Sequence, residues 1–339
     1  MSDKFLINKS TLSSIADAIR EKTGTTNKLK PREFSYKIKE MTESFASQQW
    51  RWALNNVINF SSSNPTFFKG NTYLKTMPDY FNEECRKITN WSNAFSGCTR
   101  LTELNVDTSA GTVFNSTFKS CNSLTDIGIA NLNFNKIVNG FAMFGYGTKI
   151  TNLPNFNHDT ITDMGEMFWS CSLSDLGTED LNFPNVTNAE WVFGETQITQ
   201  VPNLSFPNAT SIKGIFRDCK KLTSVANFSI PNVTNASEAF KGCSLLREIG
   251  NIDITNVTNT GNLFSGCTSL ERIGIVPDTI KVNISFVDSP LLTDETIQNI
   301  INGLAVVTTQ RTLTLHADVK AKLTEEQINL ITSKNWKVV

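Results

Sequence analysis

The chain has 339 residues and a formal net charge of −1. A charge this balanced gives no electrostatic basis for binding nucleic acid or an anionic membrane surface, so neither partner is expected. No stretch approaches the roughly 20 apolar residues of a membrane span, and the first residues lack the apolar core of a signal peptide, so we expect neither membrane insertion nor a secretory leader.

Residues 1–45 are predicted to form a helical segment for anchoring or oligomerisation. Apolar residues at helical spacing make one stripe before Gly24 and a second stripe after Pro31. The positions that form these stripes are Leu12, Ile15, Ile19, Phe34 and Ile38. Two helices this short are marginally stable alone, so they should dock on a partner subunit or cap the first repeat.

The same segment resembles a short module at the head of tail, baseplate and head-fibre proteins of bacteriophages that infect Gram-positive bacteria. The resemblance runs from Leu12 to Gly24 and from Pro31 to Ile38. It implies binding to other virion subunits, and we expect a homo-oligomer.

Residues 46–84, which are rich in aromatic residues, are open to three interpretations: a cap, a degenerate first repeat or part of a subunit interface.

Residues 85–291 contain about nine tandem repeats. A phenylalanine, called the anchor below, recurs at successive spacings of 23, 26, 24, 25, 23, 24, 24 and 22 residues. The anchors are Phe95, Phe118, Phe144, Phe168, Phe193, Phe216, Phe240, Phe264 and Phe286. A unit this short cannot bury its own apolar faces, so neighbouring units must stack and bury them together.

Two segments of each repeat differ in character. After the anchor comes an apolar pair such as Leu246 and Ile249, which predicts a short strand of a parallel sheet. The residues that lead into the anchor are small or apolar, which predicts a short helical turn. The predicted fold class is an α/β leucine-rich-type repeat solenoid of short parallel strands and short helical turns, with a helical N-terminal segment and a small α/β C-terminal cap.

The repeats resemble the BspA-like leucine-rich repeats, whose units carry the pattern Val-Thr, Ala-Phe-x-x-Cys, Leu-x-x-Ile. The clearest match runs from Val233 to Ile249, and a second runs from Val257 to Ile273. The resemblance implies a solenoid used for adhesion.

Residues 292–339 look like the cap that closes many such solenoids. A helix is predicted from Thr293 to Leu304, a strand from Thr312 to His316 and a second helix from Thr324 to Ser333, with both helix-starting threonines as N-caps.

Six of the seven cysteines recur three residues after an anchor. Because no Cys-x-x-Cys occurs, we interpret them as a column of buried thiols rather than a disulfide framework or a metal site.

The Asn-x-Ser/Thr sequences also follow the repeat, so we interpret them as repeat consensus rather than glycosylation sites. They begin at Asn185, Asn208, Asn232 and Asn256.

No nucleophile elbow, phosphate-binding loop, dinucleotide fingerprint or zinc motif occurs in the sequence, so we expect a protein that is not an enzyme and takes no cofactor. Binding is expected at outward positions of the strands or at two tryptophans of adjacent repeats, which suit stacking on sugar rings or a protein contact, with local packing as the alternative. The candidate binding residues are Trp169, Trp191, Glu103, Asp126, Asn152, Asp175, Gln200, Ser224 and Glu248.

The leading hypothesis is a bacteriophage virion protein, a tail, baseplate or head fibre, that uses its solenoid to recognise a glycan or protein on the host surface. Such a protein is made in the host cytoplasm and is located in the virion. One alternative is a bacterial BspA-like adhesin at the cell surface. Another is a purely structural virion spacer or decoration protein.

Overall fold

The computed structural model describes residues 68–72, 74–76 and 85–339 of the chain. The predicted N-terminal helices lie outside the described residues, together with most of the aromatic segment 46–84. The roles assigned to Leu12, Ile15, Ile19, Phe34 and Ile38 therefore stay predictions. The described part of the chain is a parallel solenoid closed by a small α/β cap.

The repeats contain short strands and, within the described residues, one helix of four residues. This helix is α1 (Asp126–Ile129), and the strands are β1 (Leu181–Asn182), β2 (Gln200–Val201), β3 (Leu204–Ser205), β4 (Ser224–Val225), β5 (Phe228–Ser229), β6 (Glu248–Ile252) and β7 (Arg272–Ile275). The last repeat ends with β8 (Ile284–Phe286), and the cap comprises α2 (Asp294–Gly303), β9 (Arg311–Leu315), α3 (Ala317–Lys320), α4 (Glu325–Ser333) and β10 (Trp336–Val338). In the earlier repeats, isolated parallel bridges take the place of strands.

The strands of the repeats form one parallel sheet in the order β1-β3-β5-β6-β4-β2, with β7 paired to β6. Two rows of strands meet in β6, which is long enough to belong to both. In one row the buried residues Val201, Val225, Ile249 and Ile273 stand side by side. The prediction of short parallel strands built on the apolar pair is therefore confirmed.

A column of phenylalanine rings fills the core. Each anchor from Phe95 to Phe286 stacks on the next, with ring centroids 4.9 to 5.9 Å apart and ring planes within 19° of each other. Phe68 adds a ring 5.6 Å from Phe95, so the column extends into the aromatic segment. Buried aromatic pairs stabilise a fold by about 0.5–1.5 kcal/mol beyond their area burial, so this column ties each repeat to its neighbours.

The residues around each anchor do not form the short helical turn that the sequence predicts. Two residues before and two after the anchor the backbone is left-handed, as at Glu238 (φ 60°) and Gly242 (φ 76°), and a right-handed helix cannot continue through that conformation. Successive N–H groups alternate between acceptors in their own repeat and in the next one. Ala239 donates within its own turn, whereas Phe240 donates to the carbonyl of Leu263 in the next repeat. The helical prediction is wrong because stacking supplies acceptors in the adjacent unit, which the pattern of a single repeat does not reveal.

A polar residue five positions before the anchor begins most of these turns. In Asn235, for example, Oδ1 accepts a hydrogen bond from the N–H of Ser237, which forms an Asx-turn. The same positions of successive repeats form a ladder of single parallel bridges. The residues of this ladder are Asn90, Val113, Asn139, Asp163, Asn188, Ser211, Asn235 and Asn259.

The six cysteines that follow an anchor are free and buried. The Sγ atoms of Cys219, Cys243 and Cys267 each donate to the carbonyl of the anchor one repeat earlier, at 3.0 to 3.1 Å. Where the cysteine is missing, a buried threonine hydroxyl, that of Thr148 or Thr196, donates to the anchor carbonyl of its own repeat. The predicted column of buried thiols is confirmed, and its thiols also serve as hydrogen-bond donors between repeats.

The cap continues the core at the C-terminal end of the stack, because its strand β9 pairs with β8, whose Phe286 carries the last ring of the column. Thr293 is the N-cap of helix α2, and its hydroxyl accepts a hydrogen bond from the N–H of Thr296. Helix α4 begins with a reciprocal capping box between Thr324 and Gln327. The predicted helices and strand are confirmed to within one residue at each end. In addition, β8 and β10 flank β9 in a parallel sheet.

Candidate recognition surfaces

The strand residues predicted to bind a ligand lie at equivalent positions of successive repeats. Gln200, Ser224 and Glu248 stand side by side in register, and Asn152 stands beside Asp175 in the same way. Parallel strands are about 4.8 Å apart, so these side chains form a polar row with a regular spacing. At the start of the stack, the exposed Glu103 forms a bridge with Thr76.

Asp126 is half-buried, and its carboxylate is engaged in hydrogen bonds within the protein. Its carboxylate accepts hydrogen bonds from the N–H and the hydroxyl of Thr151, at 3.0 and 2.5 Å. It also accepts from the N–H and the side-chain amide of Asn152, at 3.3 and 3.0 Å. Both donors lie in the next repeat. Asp126 and Asn152 therefore form a clasp between repeats, and their assignment as ligand-binding residues stays a prediction.

The other residues of the row differ in whether their polar atoms form hydrogen bonds or ion pairs within the protein. Asp175 accepts a hydrogen bond from the N–H of Gly177 at 2.8 Å, and Glu248 pairs with Arg272 at 2.9 Å. The side chains of Gln200 and Ser224 make no hydrogen bond within the described residues. The row is therefore most available for binding in its middle.

A groove of about 460 Å³ lies at this middle part of the row. We call it the strand groove. It is lined by Gly177, Thr178, Gln200, Val201, Pro202, Ser224, Val225, Ala226, Asn227, Glu248 and Gly250. Small residues form part of its lining for a physical reason: a Cβ atom at Gly250 would lie 2.8 Å from the backbone carbonyl of Ala226. Sequence reasoning identified three of these residues (Gln200, Ser224 and Glu248).

Trp169 and Trp191 contact each other, as their positions in adjacent repeats suggest. Their ring centroids are 5.0 Å apart and their planes make an angle of 85°, and both side chains are half-buried. The two indoles also pack on the following repeats, because Cβ atoms at Gly194 and Gly214 would lie 2.4 Å from Trp169 and 2.1 Å from Trp191, respectively. The two tryptophans therefore pack within the solenoid and also leave part of their rings exposed.

Polar and charged residues surround the two tryptophans. The hydroxyl of Tyr146 donates to Glu166 at 2.6 Å, and the ammonium group of Lys119 lies 3.9 Å from the Tyr146 ring centroid. Partial burial and this hydrogen bond raise the pKa of Tyr146 to about 12, so the phenol stays protonated at neutral pH. Sequence reasoning missed Tyr146, because it lies in the repeat that lost its cysteine and has no counterpart elsewhere.

Two cations lie over the second indole. Lys213 Nζ and the guanidinium carbon of Arg217 are each 5.4 Å from the Trp191 ring centroid, within the range of cation–π attraction. Arg217 also pairs with Asp218 at 3.1 Å and with Glu238 at 2.6 Å, so its guanidinium is held in place. We call this surface the tryptophan patch and define it by Tyr146, Glu166, Trp169, Trp191, Lys213 and Arg217.

The asparagines of the Asn-x-Ser/Thr sequences are exposed, and their amides hold repeats together. Asn208, Asn232 and Asn256 each donate through Nδ2 to the carbonyl of a proline in the preceding repeat, at 2.7 to 2.8 Å. Asn185 donates in the same way to the carbonyl of Asp159. The interpretation of these sequences as repeat consensus thus gains a structural reason.

Within the described residues, no group of three or more histidine, cysteine, aspartate or glutamate side chains is placed to hold a metal ion. None of the helices in that part of the chain is both long and apolar enough to cross a membrane.

Comparison with known proteins gives a family match and a likeness to solved structures. The family described as "Mycoplasma protein of unknown function, DUF285" matches residues 34–176, 89–205 and 210–281, which together take in most of the chain. No curated protein matches the sequence. Among solved structures, the chain is similar to a leucine-rich repeat protein from Bacteroides ovatus, at 15% identity, with coverage of 81% of this chain and 86% of that chain and a TM-score of 0.24.

Proposed function

The chain belongs to the DUF285 family, and on this premise we propose that it is a non-enzymatic recognition protein whose repeats bind other molecules at a bacterial cell surface. The observation that carries this proposal is the tryptophan patch. Partly exposed tryptophan, tyrosine and arginine side chains in one cluster are the residue types that dominate binding energy at protein interfaces.

Backbone geometry supports a role for Trp191 beyond packing. Its φ is 60°, a left-handed conformation that is uncommon for a bulky residue and costs of order 1 kcal/mol or more. The equivalent position is left-handed in each repeat from Asn93 to Asn262, and apart from Trp191 it holds small or polar residues. Among them, asparagine and glycine tolerate a left-handed backbone best. Trp191 is thus the one bulky aromatic residue at this left-handed position of the described repeats, and a binding function would explain why it is kept there.

The hydrogen-bonding capacity of the patch supports the same conclusion. Within the described residues, the indole N–H groups of Trp169 and Trp191 have no hydrogen-bond partner. Both groups are therefore available to a ligand, beside the cations Lys213 and Arg217. Amphipathic aromatic rings of this kind present an apolar face and a polar edge to a partner.

A bacterial surface protein is the better proposal than a phage virion protein. The virion hypothesis rests on residues 12–38, which lie outside the described residues, and no similarity found supports it. The matching family is named after a bacterial genus. An adhesin of the BspA-like type, as the repeats resemble, is therefore the form of the proposal that we carry forward.

The test is binding of fluorescently labelled full-length protein to intact bacterial cells. The informative variant is Trp169→Ser with Trp191→Asn, since other repeats have Ser96 and Ser265 at the first position and Asn93 and Asn262 at the second. These exchanges remove both indoles and keep residues that the turn already accepts. The control is Val306→Ala, which removes an exposed apolar side chain in the cap.

We expect the wild type and the Val306→Ala variant to bind cells alike and the double variant to bind at least ten-fold less. Circular dichroism and thermal unfolding establish that the double variant remains folded. Absence of binding by the wild type to any of a panel of species would contradict the adhesion role and favour a purely structural one. Equal binding by the double variant would exclude the tryptophan patch as the contact surface.

A further inference from the structure

The strand groove and the tryptophan patch belong to different segments of the repeat. The patch consists of residues within three positions of an anchor, whereas the groove is formed seven or more residues after the anchors. We infer that the strand groove is a second binding site, which takes a linear neutral oligosaccharide. This inference rests on the recognition role proposed above and adds a site and a ligand class to it.

The size and direction of the groove indicate an elongated ligand. Its volume of about 460 Å³ falls in the range of roughly 300–1,000 Å³ that is usual for small-molecule sites. It runs across four successive repeats, from Gly177 through Gln200 and Ser224 to Glu248. Three strand spacings of about 4.8 Å make it roughly 14 Å long. An extended chain of several sugar rings fits this shape, whereas a single compact ligand would leave much of it empty.

The charge of the groove favours a neutral ligand. Among the residues that line it, Glu248 alone is ionisable, and its carboxylate pairs with Arg272 at 2.9 Å. Neither a phosphate nor an ammonium group would find an unpaired opposite charge here. The lining instead offers hydroxyl and amide groups, in Thr178, Gln200 and Ser224, that make no hydrogen bond within the described residues.

These groups match the chemistry of sugars. Amide and hydroxyl side chains both donate and accept hydrogen bonds, as the hydroxyls of a pyranose ring do. Val201, Pro202 and Ala226 provide apolar surface between the polar groups, against which the C–H faces of a sugar ring would pack. The amide of Asn227 is oriented by its hydrogen bond to Asn203 at 3.1 Å, so one polar wall is already fixed.

An extended peptide fits the groove less well. Peptides that bind to sheets pair with the free backbone groups of an edge strand. Here β4 and β6 pair on both sides, and among the lining strands only β2, an edge strand of two residues, has an unpaired side, which is too short to hold an extended peptide. The lining also includes no aromatic residue that would form an apolar pocket for a peptide side chain.

The test is isothermal titration of the purified full-length protein with cellohexaose, maltohexaose and chitohexaose as neutral probes. Hexagalacturonic acid and an uncharged hexapeptide serve as the anionic and peptide probes. Gln200→Ala removes an amide that makes no internal hydrogen bond, and Ser224→Tyr fills the groove at a strand position that accepts an aromatic residue. Thr314→Tyr is the matched control, because Thr314 is half-buried on strand β9, outside the groove.

We expect at least one neutral hexasaccharide to bind the wild type. Gln200→Ala should weaken that binding about three- to ten-fold, as loss of one neutral hydrogen bond does. Ser224→Tyr should abolish it, and Thr314→Tyr should leave it unchanged. The inference is overturned if no neutral hexasaccharide binds, if Ser224→Tyr binds as the wild type does, or if the anionic or peptide probe binds more tightly than every neutral one.

Failure of this inference is distinguishable from failure of the proposed function. A protein that binds cells through the tryptophan patch but takes no hexasaccharide would retain the recognition role and lose the groove as its site. A protein that takes a hexasaccharide but binds no cells would retain the groove as a sugar site and lose the adhesion role.

Discussion

The indole of Trp169 occupies the space that a side chain at Gly194 would need. A Cβ atom at Gly194 would lie 2.4 Å from Cζ3 and 2.6 Å from Cε3 of the indole. Both residues directly follow the anchor of their repeat. Trp191 and Gly214, each two residues before an anchor, show the same relationship. At these two positions, a tryptophan in one repeat therefore requires a glycine in the next.

This relationship predicts that Gly194→Ala destabilises the protein only while Trp169 is present. The added methyl group should lower the free energy of unfolding by about 1–3 kcal/mol, as overpacking does. With Trp169→Ser in place, the nearest remaining atom is the carbonyl oxygen of Gly214 at 3.3 Å, so the cost should fall below about 0.5 kcal/mol. Urea unfolding of the four proteins of this cycle measures the coupling. An equal cost of Gly194→Ala in both backgrounds would contradict the packing described here.

A second prediction concerns the left-handed backbone of Trp191. Trp191→Asn and Trp191→Val remove the same ring, but asparagine tolerates a φ of 60° and valine does not. The two variants should therefore differ in their free energy of unfolding by roughly 1–2 kcal/mol, with the valine variant less stable. The asparagine variant should lie within about 1 kcal/mol of the wild type, because relief of strain offsets lost packing. Thermal unfolding decides this, and equal stabilities of the two variants would show that the backbone carries no strain.

The repeats themselves were predictable because their signal is redundant. Phe240 alone says little, but nine anchors at near-constant spacing require units that stack, and the apolar pair after each anchor requires strands. The cap was predictable for a different reason. Thr293 and Thr324 are N-caps, and their chemistry is local to the sequence.

The turn and the uses of the acids were not predictable, because both depend on the adjacent repeat. The N–H of Phe240 finds its acceptor at Leu263, one repeat later, and no pattern within the unit shows this. In the sequence, Asp126 resembles the other outward acids of the strands, and only the structure shows that it accepts hydrogen bonds from Thr151 and Asn152. The sequence does contain a signal for the packing of the two tryptophans, since glycine stands at positions 194 and 214, one repeat after each of them.

A third prediction separates the clasp from the candidate binding surfaces. Asp126→Ala leaves the N–H groups of Thr151 and Asn152 without their acceptor and should lower the free energy of unfolding by about 1–3 kcal/mol. Binding to cells and to oligosaccharides should not change, because Asp126 lies in neither the tryptophan patch nor the strand groove. Hydrogen exchange should show faster exchange of the amides of residues 151 and 152. Reduced ligand binding at unchanged stability would instead support the predicted binding role of Asp126.

The last prediction is that the protein loses stability steeply as the pH rises above about 9. Burial raises the pKa of the thiols of Cys98, Cys171, Cys219 and Cys267 from the ordinary 9.0 to about 12. Between these two values the unfolded chain loses thiol protons and the folded chain keeps them. Each pH unit should then remove up to about 1.4 kcal/mol of stability for each such cysteine, whereas below pH 9 the thiols contribute no pH dependence.

Urea unfolding at a series of pH values from neutral to alkaline measures this slope, and Cys219→Thr is the control. Threonine already stands at that position in the preceding repeat, as Thr196, so the variant should fold, and its slope should be smaller by the share of one thiol. The thiols should also react with a disulfide reagent only after unfolding, because burial leaves too little thiolate in the folded protein. A slope unchanged by Cys219→Thr, or rapid labelling of the folded protein, would show that these thiols are accessible to solvent and that the column is less closed than the structure has it.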